Sequence, residues 1–104
     1  MAYTKVPTSW VTGISEDGTN LIILLAQIPG LTAAEADAVS GDIRYIFRGL
    51  CAMMKAGFDA QDADSLPTRM KCGVVDMPLA DGYSRKVYSF AFDVAVTAEE
   101  VAAE

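Results

Sequence analysis

The most regular pattern in the chain is the alternation of large apolar residues with small or polar ones over residues 88–96. This alternation predicts a β-strand with one face toward a core. Residues 69–75 alternate in the same way and predict its partner, joined to it by a three-residue loop at residues 80–82. A slip of one residue would turn every aromatic side chain to the wrong face, so the alternation also predicts the register. The predicted register pairs Met70 with Phe92, Cys72 with Phe90 and Val74 with Tyr88, and it sets Arg69 opposite Asp93. Pro78 lacks a backbone N–H to donate, so we expect it at a sheet edge or a bulge.

The first third of the chain contains a second hairpin signal. Residues 10–14 and 19–28 are rich in β-forming side chains and flank a turn that ends in Asp17 and Gly18, a pair typical of hairpins. The second segment is apolar from Leu21 to Leu25 without alternation, which is typical of a strand covered on both faces. We therefore expect it to be an interior strand of the same sheet.

A helix follows this hairpin. Pro29 and Gly30 end the strand, and Thr32 and Glu35 have the spacing of a capping box, which predicts a helix beginning at about residue 33. The sequence Ser-Gly-Asp at residues 40–42 interrupts it, since glycine costs about 1 kcal/mol inside a helix and serine and aspartate are good caps. We expect a kink there, or two consecutive helices.

Beyond this interruption, apolar positions cover an unusually wide part of the helix surface. Two parallel rows are formed by Val39, Ile43, Ile46, Leu50 and Met53, and by Phe47, Cys51, Met54 and Phe58. A third row has mostly small residues, which allow close approach, and consists of Tyr45, Gly49, Ala52 and Ala56. One sheet covers only one side of such a helix, so we expect the third row, or the apolar row beside it, to be a self-association surface. The alternative is that the chain's own residues 1–9 or its C-terminal tail cover it.

Together these patterns predict a single α+β domain over residues 1–104. Its order is ββαββ, with an antiparallel sheet of two hairpins packed against one long helix, with or without the kink. Residues 1–9 form an N-terminal arm and residues 98–104 a C-terminal tail, and both are expected to be mobile unless a partner holds them.

Composition gives a further reason to expect a partner. Apolar residues make up 52% of the chain and the mean hydropathy is +0.26, which is high for a monomer of 104 residues. The net charge of −6 opposes binding to nucleic acid or to an anionic membrane surface. No apolar run is long enough to cross a membrane, and the first ten residues lack the apolar stretch of a signal peptide. We expect a soluble protein that is cytoplasmic or assembled in a particle, and not secreted by the ordinary route.

Residues that carry chemistry are sparse. The chain has no histidine, no nucleophile elbow and no phosphate-binding glycine loop, so we expect no enzymatic activity, no cofactor and no small-molecule substrate. Asp59, Asp62 and Asp64 alternate like calcium ligands, but the glycine of such a loop is missing, and a solvated loop without a metal is expected. Cys51 and Cys72 are expected to be core residues on facing elements rather than a disulfide.

Two functions lead, and an enzyme whose site forms between subunits is a third hypothesis. The leading hypothesis is a self-assembling structural protein that forms a homo-oligomer, and a subunit of a phage or virus-like particle is the analogy that suits it. The alternative is a small binding module that uses the basic hairpin of residues 69–86 for an anionic partner. Half of the chain's eight basic residues lie there: Arg69, Lys71, Arg85 and Lys86. Their simpler interpretation is that they protect a sheet edge from aggregation.

Overall fold

The computed structural model describes residues 6–61 and 69–94. Within them the chain forms a one-turn helix α1 (Pro7–Trp10), a hairpin of β1 (Ser15–Glu16) and β2 (Leu21–Ile22), the main helix α2 (Ile43–Asp59), and a hairpin of β3 (Met70–Pro78) and β4 (Ser84–Phe92). Short 3₁₀ turns lie at Leu25–Gln27 and Ala80–Gly82. The α+β class and the ββαββ order are confirmed. The predicted tail at residues 98–104, the start of the N-terminal arm, and Asp62 and Asp64 lie outside the described residues.

The second hairpin has the register that the alternation predicts. β3 and β4 are antiparallel, and the predicted pairs are all present: Met70 with Phe92, Cys72 with Phe90, and Val74 with Tyr88. At the open end, the Asp93 N–H donates to the Arg69 carbonyl oxygen at 2.9 Å, and the two side chains form an ion pair of 3.6 Å. The outer-face pairing of Arg69 with Asp93 is therefore also confirmed.

The backbone conformation of the loop that closes this hairpin fixes the loop length at three residues. Asp81 and Gly82 have φ values of 64° and 78°, a left-handed conformation that glycine adopts without cost and aspartate tolerates. The Leu79 N–H donates to the Tyr83 carbonyl oxygen at 2.9 Å across the loop. Pro78 is the last ladder residue of β3, so its missing N–H lies at the end of the pairing, where proline is tolerated.

The first hairpin is much shorter than predicted. β1 and β2 contain two residues each, and in the described part of the chain the two hairpins form separate two-stranded sheets, so the prediction of one shared sheet is wrong. The prediction of an interior strand at residues 21–25 is also wrong, since Leu21 is 70% exposed. Ile23 and Ile28 instead turn into the core. A short apolar run does not by itself distinguish a buried strand from an irregular core segment.

The segment before α2 folds into capped turns. Thr32 and Glu35 make both capping-box hydrogen bonds, from the Glu35 N–H to Thr32 Oγ1 at 3.2 Å and from the Thr32 N–H to Glu35 Oε1 at 3.0 Å. The predicted helix start at residue 33 is nevertheless wrong, because the Asp37 carboxylate accepts hydrogen bonds from the next backbone N–H groups and closes a turn that competes with a helix. The interruption predicted at residues 40–42 is where α2 begins, with Asp42 as its N-cap.

The core lies between the N-terminal segment and one side of α2. Val11, Ile28 and Met53 are buried together, and partly buried apolar residues surround them: Trp10, Ile14, Ile23, Leu31, Leu50 and Met54. Trp10 also packs edge-on against the buried Phe58, with ring centroids 6.1 Å apart. β3 contacts α2. Most of the core is thus formed by the first sixty residues, and the second hairpin is attached to it through α2.

Candidate functional site

The small-residue row of α2 is partly closed by the chain itself. Gly49 is buried, and a Cβ built on it would overlap Cγ2 of Ile28. Ala52 is half-buried, whereas Tyr45 and Ala56 are exposed. The surface predicted for self-association is therefore occupied at Gly49 by Ile28, which belongs to neither of the segments considered as covers from the sequence. Only the ends of the row are left accessible.

The Tyr45 end of this row carries arginines that already have partners. Arg44 forms an ion pair of 2.6 Å with Asp42, and this hydrogen bond lowers the pKa of the Asp42 carboxyl group. Arg48 donates to the Gly30 carbonyl oxygen at 3.4 Å and lies over the Tyr45 ring, 5.5 Å from its centroid. Arg44, Tyr45 and Arg48 line a shallow cavity of about 340 Å³. Both of its cations already interact with groups of the same chain.

A different apolar surface is exposed at the start of α2. Ile43 and Phe47 are one turn apart on the same side of the helix, and their exposed fractions are 57% and 62%. Val39, just before the helix, is 95% exposed. We call these three residues the α2 ridge. All three belong to the two apolar rows described above, and the sequence allowed an apolar row beside the small-residue row to be an interface.

The second exposed surface is the outer face of β3 and β4, formed by the residues at odd positions. It carries Val75, which is 58% exposed, opposite Val87. Near the open end of the hairpin, a shallow depression of about 290 Å³ is lined by the outer-face residues Lys71, Gly73, Ser89 and Ala91, and also by Cys72 and Phe90, which belong to the other face. A Cβ built on Gly73 would meet no atom within 4 Å, so the depression is open above it. This surface was not predicted, although the small residues Gly73, Ser89 and Ala91 were its signal.

The four basic residues of the hairpin do not lie together. Lys71 is opposite Ala91 and Arg85 is opposite Met77, so six residues of strand, about 20 Å, separate them on the outer face. Lys86 lies on the other face, 2.8 Å from the Asp76 carboxylate, and this hydrogen bond raises the pKa of the Lys86 ammonium group. The structure places Arg69 beside Asp93. The predicted anion-binding set is therefore spread over both faces, and two of its members are paired with carboxylates.

The two cysteines are half-buried thiols on facing elements, Cys51 on α2 and Cys72 on β3. Burial raises the pKa of the Cys72 thiol. Among the residues that the structure describes, no group of three histidine, cysteine or acidic side chains could hold a metal ion. Asp59 forms an ion pair with Lys55 one turn earlier in α2.

No protein-family model, curated protein or solved structure matches the chain. Within residues 6–61 and 69–94, no helix is both long and apolar enough to span a membrane. A functional argument for this chain therefore depends on its own exposed surfaces.

Proposed function

We propose that the chain is a self-assembling structural protein that forms a homo-oligomer. The observation that carries the proposal is the exposure of large apolar side chains on two ordered elements, the α2 ridge and the outer face of β3 and β4. Single exposed apolar residues are ordinary on protein surfaces, but grouped ones mark interaction sites. Burial of such a group stabilises an interface by about 25 cal/mol for each Å² of apolar surface removed from water.

The second hairpin gives an independent reason. Its strands of nine residues pair only with each other in the described part of the chain, so each has one edge with unpaired backbone groups. A two-stranded sheet is at best marginally stable in water and normally needs a further layer. α2 contacts β3 on one face but leaves Val74 and Phe92 of that face 39% and 46% exposed, and on the outer face Val75 and Val87 are 58% and 39% exposed. A partner on the outer face would provide such a layer.

Sedimentation velocity of the wild-type protein at micromolar concentration tests the proposal. We expect a mass of at least two chains of 11.1 kDa each, and we expect it to persist between low and high salt because an apolar interface is little screened. A single-chain mass under both conditions would refute self-assembly. Electron microscopy of the same sample then distinguishes a closed shell, as in a phage or virus-like particle, from a small oligomer.

The alternative, a module that binds an anionic partner through Arg69, Lys71, Arg85 and Lys86, receives less support. Such binding needs several cations on one surface, and the observed register separates these four. Titration with a polyanion such as heparin provides the comparison. Binding that is lost in Lys71→Ala and in Arg85→Ala alike would favour the binding module over self-assembly.

A further inference from the structure

We propose that the oligomer is built head to tail: the outer face of β3 and β4 in one copy binds the α2 ridge of another copy. This inference rests on the proposed self-assembly and specifies its interface. Val39 and Phe47 of the ridge are 95% and 62% exposed, whereas the outer face has a shallow depression around Gly73. Exposed apolar side chains and an open depression are complementary in shape. Two ridges, or two outer faces, would not be.

Charge favours the same pairing. Around the depression at the open end of the outer face, Arg69, Lys71 and Asp93 carry a net charge of +1, whereas Arg85 lies about 20 Å away at the loop end. The segment that contains the α2 ridge carries a net charge of −1, from the carboxylates of Glu35, Asp37 and Asp42 and the guanidinium groups of Arg44 and Arg48.

Hydrogen bonds hold these carboxylates near the ridge. The Asp42 N–H donates to the Glu35 carbonyl oxygen at 2.9 Å, and the Gly41 N–H donates to the Asp37 carbonyl oxygen at 3.0 Å. Contact between two outer faces or between two ridges would oppose like charges, whereas the head-to-tail contact brings opposite charges together.

The consequence is a heterologous interface, in which each copy binds one neighbour through its α2 ridge and another through its outer face. Such contacts continue from copy to copy until a ring closes, or they produce an open filament. A two-fold symmetric dimer would instead use one surface twice. The two arrangements differ in how two variants, each with one damaged surface, behave when they are mixed.

Two substitutions damage one surface each. Phe47→Glu places a charge on the ridge at a side chain that the fold leaves 62% exposed. Gly73→Leu fills the depression with a side chain whose Cβ meets nothing in its own chain. Leu21→Glu is the matched control, because it introduces the same charge at a residue that is 70% exposed and lies outside both surfaces. Circular dichroism checks the fold, and Ile43→Glu or Ala91→Glu replaces a variant that does not fold.

Sedimentation velocity on each variant, and on a 1:1 mixture of the ridge and outer-face variants, tests the pairing. We expect a single-chain mass for each variant alone and a two-chain mass for the mixture, since one intact ridge then meets one intact outer face. Leu21→Glu should keep the wild-type mass. The pairing is wrong if either variant keeps that mass, if the mixture stays at one chain, or if Leu21→Glu dissociates as well. A wild-type monomer would instead refute the proposed function itself.

Discussion

Replacing Gly49 by alanine tests whether the chain itself closes the small-residue row of α2. In an open helix position, glycine to alanine stabilises by about 1 kcal/mol through helix propensity. At Gly49, however, the added methyl group would overlap Cγ2 of the buried Ile28. Overpacking of this kind costs about 1 to 3 kcal/mol. The clash should outweigh the propensity gain, and we expect Gly49→Ala to destabilise the protein by about 1 kcal/mol.

Urea unfolding at one fixed protein concentration measures this change, because assembly would make the stability depend on concentration. Ala56→Gly, at an exposed position of the same helix, calibrates the propensity effect and should cost about 1 kcal/mol. In an Ile28→Ala background the overlap is gone, so Gly49→Ala should become stabilising. A gain of about 1 kcal/mol from Gly49→Ala in the wild-type background would refute the closed groove and return Gly49 to the set of candidate interface residues.

Three further predictions concern other elements. Phe90→Ala should cost about 2 kcal/mol in urea unfolding, less than for a fully buried ring because Phe90 is half-buried, whereas Ala91→Ser should change little. Thr32→Ala should cost about 0.5 to 1 kcal/mol because it removes the hydrogen bond from the Glu35 N–H to Thr32 Oγ1. A free energy of unfolding equal to that of the wild type would show that this turn does not contribute to stability. Hydrogen bonds from the N–H groups of residues 40 and 39 lower the pKa of the Asp37 carboxyl group in the folded protein. The ionised carboxylate therefore stabilises the fold above about pH 4, the ordinary pKa of an aspartate, and this stabilisation is lost as the pH falls through the lower pKa of the folded protein. Acid unfolding of Asp37→Asn should therefore depend less on pH than that of the wild type.

The register of the second hairpin could be predicted from the sequence because its signals are local and agree with each other, whereas its core face was only partly correct, since Val74 is 39% and Phe92 46% exposed. The alternation at residues 88–96, the three-residue loop and the pairing of Arg69 with Asp93 all require one register. The end of α2 nearest the hairpin could be predicted for the same reason, since Phe58 is buried where its row requires. Local agreement of this kind leaves no alternative to be decided by distant contacts.

The first hairpin and the start of α2 could not be predicted as well, because distant contacts decide them. The apolar run from Leu21 contains residues that α2 buries and residues that stay exposed, and periodicity does not separate the two. The capping-box hydrogen bonds between Thr32 and Glu35 are present, but they stabilise a turn rather than the start of a helix. The row through Gly49 was recognised as suited to close packing, yet the sequence could not show that Ile28 would be the side chain that packs there.

The way in which the chain covers α2 and the second hairpin bears on the proposed assembly. Ile28 fills the small-residue row, so the surface with the best local signal for close approach is used inside the chain. The apolar rows of α2 are longer than the segments that cover them, and Ile43 and Phe47 are left exposed at the helix start. The hairpin of β3 and β4, in turn, contacts α2 through β3 and leaves Val75 and Val87 exposed on its outer face. Among the described residues, each of these two surfaces is left without a covering layer, and this is the basis of the head-to-tail contact that we propose.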